Sequence, residues 1–416
     1  MTCSLHRAFL IALVALSCST GAGAVPTSIL FVGNSYTFGR VDPVMSYNAA
    51  NVRDLTAPMY ANNPAGSNAF EPHPWGGVAG IFKQFTVQAG LDYDVAMSAR
   101  NAASLRGHLL NTNPAGWDLR GNIGSQTWDK VVLQEQSDEP LTRRPGLNSN
   151  PDYFRNYADK IENYVHSTVA QSFRERDFFP GANSTERQAA CVASGLSAGT
   201  CSTVRNIPAN ANGSAATDVY LYQTWARPNL VDGAFVTTTD PVTGAVTRTA
   251  TPATTFFSDL EAMTSELKDS YQSAFDLADE DGSPGFKGVA PVGEAFMLAV
   301  LDGIATRDMW AADALTDGLI DLWFDDGTHA SRYGSYLSAL TLFGTITGLD
   351  PQSLGYNEIA ARDLGISSRE AYLLQQIAAV SLGFQKVPEP ASLVLVLTGV
   401  GLLGFMTRRR REVRFA

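Results

Sequence analysis

Thr27-Ser28-Ile29-Leu30-Phe31-Val32-Gly33-Asn34-Ser35-Tyr36-Thr37 is the stretch on which the fold turns. Its first seven residues form an apolar run without polar alternation, as in a strand buried on both faces, and it ends in a glycine that feeds a turn. Outward from it, Asp94–Ser98, Lys130–Gln134 (KVVLQ), Asp218–Gln223 (DVYLYQ) and Lys287–Val292 read as four more strands. Helix-length segments lie between them. Tyr153–Val169 places Phe154, Tyr157, Ile161, Tyr164 and Val165 on one face at steps of three and four, and Phe256–Ala278 and Ser331–Thr347 behave similarly. Strands separated by helices predict a parallel sheet covered on both faces, one α/β/α domain over Val25–Phe384. Two stretches break the pattern and read as surface insertions: Gln171–Thr217, rich in small and polar residues, and the threonine-rich Val236–Thr255, expected to form a small hairpin. There are no internal repeats.

In a parallel α/β sheet, ligands bind at the carboxyl ends of strands, so the first strand delivers Ser35 to the functional edge. A strand-to-helix turn exposes the hydroxyl, and the following amides face an oxyanion. The plainer alternative is that Asn34-Ser35 caps the next helix. Near the other end lies Trp323-Phe324-Asp325-Asp326-Gly327-Thr328-His329. An Asp three residues before a His on a turn can orient the imidazole through one ring nitrogen, leaving the other to take a proton from serine. Asp325 is the fallback should Asp326 point away. Gly195-Leu196-Ser197-Ala198-Gly199 matches a nucleophile elbow, but it lacks the preceding apolar strand and reads as accidental. His73, His108 and His166 read as structural or solvated. Trp225, just beyond the fourth strand, is a candidate to stack on a sugar, against the commoner role of a tryptophan in the core.

Taken together, GNSYT after the first strand and DGTH before the last core helix resemble the first and fifth blocks of the SGNH (GDSL-like) hydrolases. The segments VVLQEQS, LYQTWARP and PVGEAF are similar to a carbohydrate-esterase-like branch of that superfamily, and the likeness covers most of Thr27–Gly348. It implies a three-layer α/β/α sandwich around a parallel sheet of about five strands. It also implies a serine esterase with Ser35 as nucleophile and Asp326–His329 as its partners, with no metal or organic cofactor. In the third block Gln136 stands where the family usually has Asn, and its amide is the expected oxyanion donor beside the Ser35 and Ala102 backbone N–H groups. Two residues depart from the family pattern. Asn34 replaces the usual Asp, and Ala102-Ala103-Ser104-Leu105 stands where the second block normally offers a glycine. The expected substrate is an O-acylated (acetylated) extracellular carbohydrate. The rivals are a lipase or general short-chain esterase, a non-catalytic polysaccharide-binding protein on the same fold, and a metal-dependent phosphoesterase using Asp325, Asp326 and His329.

Both ends read as addresses. His6 and Arg7, the apolar run Ala8–Leu16 and Ala22-Gly23-Ala24 form a signal peptide over residues 1–24. Cys18 raises a lipoprotein site, for which Ala15 is a poor match. At the other end Val387-Pro388-Glu389-Pro390, the apolar run Ala391–Met406 and Arg408–Arg411 resemble a PEP-CTERM sorting signal over residues 387–416. That resemblance implies a Gram-negative bacterium, an exosortase-type processing partner, transient anchoring in the inner membrane, and a final place at the surface or outside. The apolar run is shorter than the ~20 residues that cross a bilayer comfortably. The formal net charge is −11, and since both ends carry basic residues, the body between them is more acidic still. Such a body repels polyanions and shows no basic stripe with interleaved aromatics, which excludes nucleic acid as the natural partner. Cys191 and Cys201 remain after signal cleavage, and in an oxidising compartment they predict a disulfide closing a surface loop.

Overall fold

A computed structural model describes residues 25–62, 73–112, 117–239, 243, 246–251, 254–314 and 316–384. The signal peptide expected at 1–24 and the terminal segment at 387–416 lie outside the described residues. Thr27–Gly33 (β1) pairs in parallel with Tyr93–Ala99 on one side and Lys130–Gln134 on the other. It is therefore flanked on both edges and covered on both faces, and Ile29 to Val32 are fully buried.

In chain order the strands are β1, β2 (Arg53–Asp54), β3 (Tyr93–Ala99), β4 (Lys130–Gln134), β5 (Gln171–Arg174), β6 (Val204–Ile207), β7 (Asp218–Tyr222), β8 (Ala234–Thr239), β9 (Val246–Thr251) and β10 (Gly288–Ala290). Six of them form one parallel sheet in the order β10-β7-β4-β1-β3-β2. Beyond the five strands expected from sequence, the sheet gains the two-residue edge β2. The strand expected at Lys287–Val292 shrinks to Gly288–Ala290, because Pro291 and Val292 open the next helix.

From β1 the chain goes out to the edge strand β2, comes back through the helix Gly77–Gln88 to β3, then passes β1 to β4 and moves the other way to β7 and β10. Right-handed crossovers put the helices of these two excursions on opposite faces. Pro151–His166 and Leu260–Ala278 pack on each other, and Arg332–Thr347 packs against both Gly77–Gln88 and Ser368–Ser381. The reversal beside β1 is the topological switch point of the sheet, where a crevice opens at the strands' carboxyl ends. Ser35 sits there.

Both insertions have local structure of their own. Ala234–Thr239 and Val246–Thr251 form the expected antiparallel hairpin. In the longer insertion β5 and β6 pair antiparallel, and a disulfide joins Cys191 on the helix Ser184–Ala193 to Cys201 on the helix Ala198–Ser202. Among the described residues no helix is long and apolar enough to cross a membrane. The apolar run Ala391–Met406 lies outside them.

Candidate active site

The turn after β1 is built around a buried amide. Gln134, at the end of β4, accepts the Asn34 backbone N–H at 3.0 Å and the Thr37 hydroxyl at 2.9 Å on its Oε1. A Cβ at Gly33 would meet those same Thr37 and Gln134 oxygens at 2.2 and 2.6 Å, so only glycine lets strand and turn close this tightly. Asn34 caps the short helix Ser35–Phe38, accepting Tyr36 N–H at 3.1 Å. The capping alternative from sequence thus holds for Asn34, and Ser35 lies in the same turn, 6% exposed and lining the cleft. His108, fully buried, donates from Nε2 to the Gly33 carbonyl at 2.9 Å. Burial pushes its pKa down to about 4, the nearby Arg100 charge adds to this, and the bond to Gly33 opposes it in part.

His329 Nε2 lies 2.9 Å from Ser35 Oγ, and its Nδ1 lies 2.6 Å from Asp326 Oδ2. The other carboxylate oxygen of Asp326 accepts the backbone N–H groups of Thr328 and His329, each at 2.9 Å. The acid, the turn and the ring orientation are therefore set by one side chain. Partial burial raises the Asp326 pKa, but the hydrogen bonds and charge of His329 outweigh it and hold the carboxyl below its usual range. With Nδ1–H given to this carboxylate, Nε2 is left as the acceptor for the serine hydroxyl proton. Gly327 stands at φ +63°, and a Cβ there would meet the Trp310 ring at 2.6 Å, so the DGTH turn needs its glycine. Asp325 is exposed and takes no part in this chain of contacts.

The Thr328 carbonyl, immediately before His329, is held by two donors, Tyr36 Oη at 2.8 Å and Trp225 Nε1 at 3.1 Å. This corrects the sequence-based expectation for Trp225. Its side chain is 0% exposed, stacked between Tyr36 at 4.1 Å and Phe296 at 4.9 Å. It has no free face for a sugar, and it supports the wall behind the Asp326–His329 loop. Arg227 joins the third block to the same loop. It donates to Ser137 Oγ at 2.9 Å, to Thr328 Oγ1 at 3.3 Å and to the Asp138 carboxylate. Sequence reading passed over Tyr36, Gln134 and Arg227. Each lies within a segment already singled out, Tyr36 in GNSYT, Gln134 in VVLQEQS and Arg227 in LYQTWARP.

The expected oxyanion donors line the same cleft, a hollow of about 240 Å³ that includes Ser35, Ala102, Gln136 and His329. Neither the Ser35 nor the Ala102 backbone N–H finds an acceptor among the described residues. Ala102 stands at φ +54°, the left-handed region that glycine enters freely and alanine does not. Gln136 Oε1 is spent on the amides of Asp138 and Glu139 at 2.9 and 3.1 Å, which leaves its NH₂ for a ligand. Glu135 is buried and brackets the two loops, with Oε1 accepting Leu105 N–H at 2.9 Å and Gln136 N–H at 2.6 Å. Burial, with the charge of Glu139 behind it, raises its pKa well above the carboxylate range.

The remaining candidates lie apart from the site. His73 is buried against Asp54, 2.5 Å from its carboxylate, and stacks on Trp75. His166 bridges Glu162 and the Thr217 carbonyl. Ser197 caps the exposed helix Ala198–Ser202, accepting Thr200 N–H at 3.0 Å. A larger hollow of about 520 Å³, between Pro151–His166 and Leu260–Ala278, has no histidine in its lining.

Residues 386–411 match the PEP-CTERM protein-sorting motif. The PEP-CTERM signal implies export, processing by an exosortase, and a surface or extracellular location in a Gram-negative bacterium. No curated protein matches the chain. Solved structures of similar overall path include an SGNH hydrolase candidate from Slackia heliotrinireducens (16% identity, 77% of this chain and 100% of that one, TM-score 0.34). A DUF4886 family protein from Bacteroides uniformis ATCC 8492 matches at 14% identity, over 88% of this chain and 98% of that one, TM-score 0.42. A gut microbial diltiazem-metabolizing enzyme matches at 10% identity, over 77% of this chain and 46% of that one, TM-score 0.31. The chemistry of the present chain rests on its own side chains.

Proposed function

We propose that the protein is an exported serine esterase that hydrolyses carboxylic esters through an acyl-enzyme. The observation that carries this reading is the continuous hydrogen-bonded line from Ser35 Oγ through the His329 ring to Asp326. His329 Nε2 removes the Ser35 proton as Oγ bonds to the ester carbon, and the carbonyl oxygen takes the negative charge. That charge is met by the Ser35 and Ala102 amides and the Gln136 NH₂, donors fixed before the reaction begins. The imidazolium then returns its proton to the departing alkoxide as the carbon–oxygen bond breaks. A water molecule, deprotonated in turn by His329, attacks the acyl-serine, and the acid product leaves with Ser35 reprotonated. Removing one oxyanion donor typically costs about 10²–10³ in rate, so the exposure and aim of the Ala102 N–H bear directly on turnover.

The cleft favours a small acyl group on a polar alcohol. Its volume is about 240 Å³, and among the described residues Asn34, Arg40, Asn101, Asp138 and Arg227 give its lining polar groups that suit a polar alcohol. An O-acetylated extracellular carbohydrate fits both this lining and the sorting signal. Transient anchoring in the inner membrane before processing belongs to the same reading.

The test is labelling with a serine-reactive fluorophosphonate, followed by hydrolysis of acetylated sugars and of nitrophenyl esters of increasing chain length. Labelling that disappears in Ser35→Ala and persists in Ser197→Ala, with turnover falling beyond short acyl chains, supports the proposal. No labelling and no turnover, alongside measurable binding of polysaccharide, assigns the cleft to binding alone.

A further inference from the structure

The insertion Gln171–Thr217 carries a buried acid that reaches back to the oxyanion loop. Glu175 is 0% exposed. Its Oε1 accepts Arg106 Nε at 2.9 Å and the Tyr157 hydroxyl at 2.5 Å, and its Oε2 accepts the Tyr153 hydroxyl at 2.8 Å. Arg205, from β6 of the same insertion, stands 3.2 Å from Oε1. A carboxylate removed from water is tolerated only when paired and hydrogen-bonded, and here two guanidinium groups and two phenols do this. Burial pushes its pKa up, yet the bonds from Tyr157, Arg106 and Tyr153 hold it below the usual range.

Arg106 lies in the helix Leu105–Leu110, capped by Ser104 two residues after Ala102. Ala102 is the residue at φ +54°, and an alanine stays there only while its surroundings hold it. The helix start is gripped from the sheet side by Glu135 on Leu105 N–H, and from the insertion side by Glu175 on Arg106.

We infer that the disulfide-closed insertion is a positioning element of the oxyanion site, with the Glu175–Arg106 pair keeping the Ala102 N–H aimed into the cleft. This rests on the esterase reading above. Released from the pair, alanine relaxes toward right-handed or extended backbone and its N–H turns away. Glycine at the same place carries no such bias.

The experiment compares Glu175→Gln and Arg106→Lys in the wild-type and Ala102→Gly backgrounds, with kcat expressed per fluorophosphonate-titrated site so that misfolded protein is not counted. In the wild-type background each substitution lowers kcat for nitrophenyl acetate about tenfold while KM moves less than about twofold, as for a donor used only in the transition state. In the Ala102→Gly background the same substitutions cost less than about threefold. Should Glu175→Gln fail to fold, Arg106→Lys, which keeps the charge, carries the comparison. An unchanged kcat per site in both backgrounds, or equal losses in the two, overturns the inference and leaves the esterase reading intact. A wild-type chain that neither labels nor turns over ester overturns both.

Discussion

The side-chain amide of Asn34 donates to the Ala103 carbonyl at 3.0 Å, tying the nucleophile turn to the loop that presents Ala102. A second, longer bond runs from the same nitrogen to the Glu135 carbonyl at 3.4 Å. First, second and third blocks thus meet on one amide, which is 3% exposed. A carboxylate has no hydrogen to give and would face two carbonyl oxygens. Asn34→Asp, although it restores the residue usual in the family, is expected to lower kcat for nitrophenyl acetate by at least tenfold. It should also cost about 1–3 kcal/mol of stability. Steady-state kinetics and a urea titration check both, and unchanged values would mean the loops are held together by other contacts.

Tyr36 and Trp225 share one acceptor, the Thr328 carbonyl. Tyr36→Phe and Trp225→Phe each remove one donor and keep most of the ring volume. Each should lower kcat severalfold, and the two effects should not add, with a coupling of about 0.5–3 kcal/mol. Kinetics of the two single variants and the double variant give the answer. Strict additivity would show that the carbonyl is not the shared point of support.

His108 makes stability depend on pH in a defined direction. An unfolded chain protonates this imidazole near pH 6.5, the folded one only near 4. Between those values the unfolded state binds more protons, so stability falls as pH drops from 6.5 toward 4. His108→Gln keeps a donor for the Gly33 carbonyl and does not titrate. Urea unfolding at pH 7 and pH 4.5 should show the wild-type protein losing more than the variant, by on the order of 2–3 kcal/mol. Equal losses would place the titration elsewhere.

Ala102→Gly should behave unlike an ordinary alanine-to-glycine change. Relief of a left-handed alanine is worth about 1–2 kcal/mol, against about 0.5–1 kcal/mol for the added freedom of glycine in the unfolded chain. The net expectation is a gain of about 0.5 kcal/mol in chemical denaturation. A loss of 1 kcal/mol or more would show that this residue does not hold φ +54° in solution.

The five longer strands are legible because each is a short apolar run bounded by helix-length sequence. The sixth, Arg53–Asp54, is two residues held at an edge by β3, which no periodicity can show. The helix expected from Tyr153 starts at Pro151, capped by Asn150, a start signal that outranks the apolar stripe. Ser35, Asp326 and His329 stand out in sequence because their motifs are local. The roles of Gln134, Arg227 and Glu175 depend on partners about 70 to 100 residues away, at Asn34, Ser137 and Arg106. Trp225 was misread because an aromatic ring's surroundings are decided by its neighbours in space, here Tyr36 and Phe296. In the long insertion the cysteine pair is legible, but β5 and β6 pair across 30 or more residues and the buried Glu175 finds its role through Arg106, so no single period marks the segment.

Ser35 and His329 are separated by 294 positions. A ribosome therefore releases the hydroxyl long before the imidazole that would activate it, and a chain threaded outward amino end first carries them across in the same order. Until the last third of the polypeptide has arrived and docked, the serine is chemically ordinary.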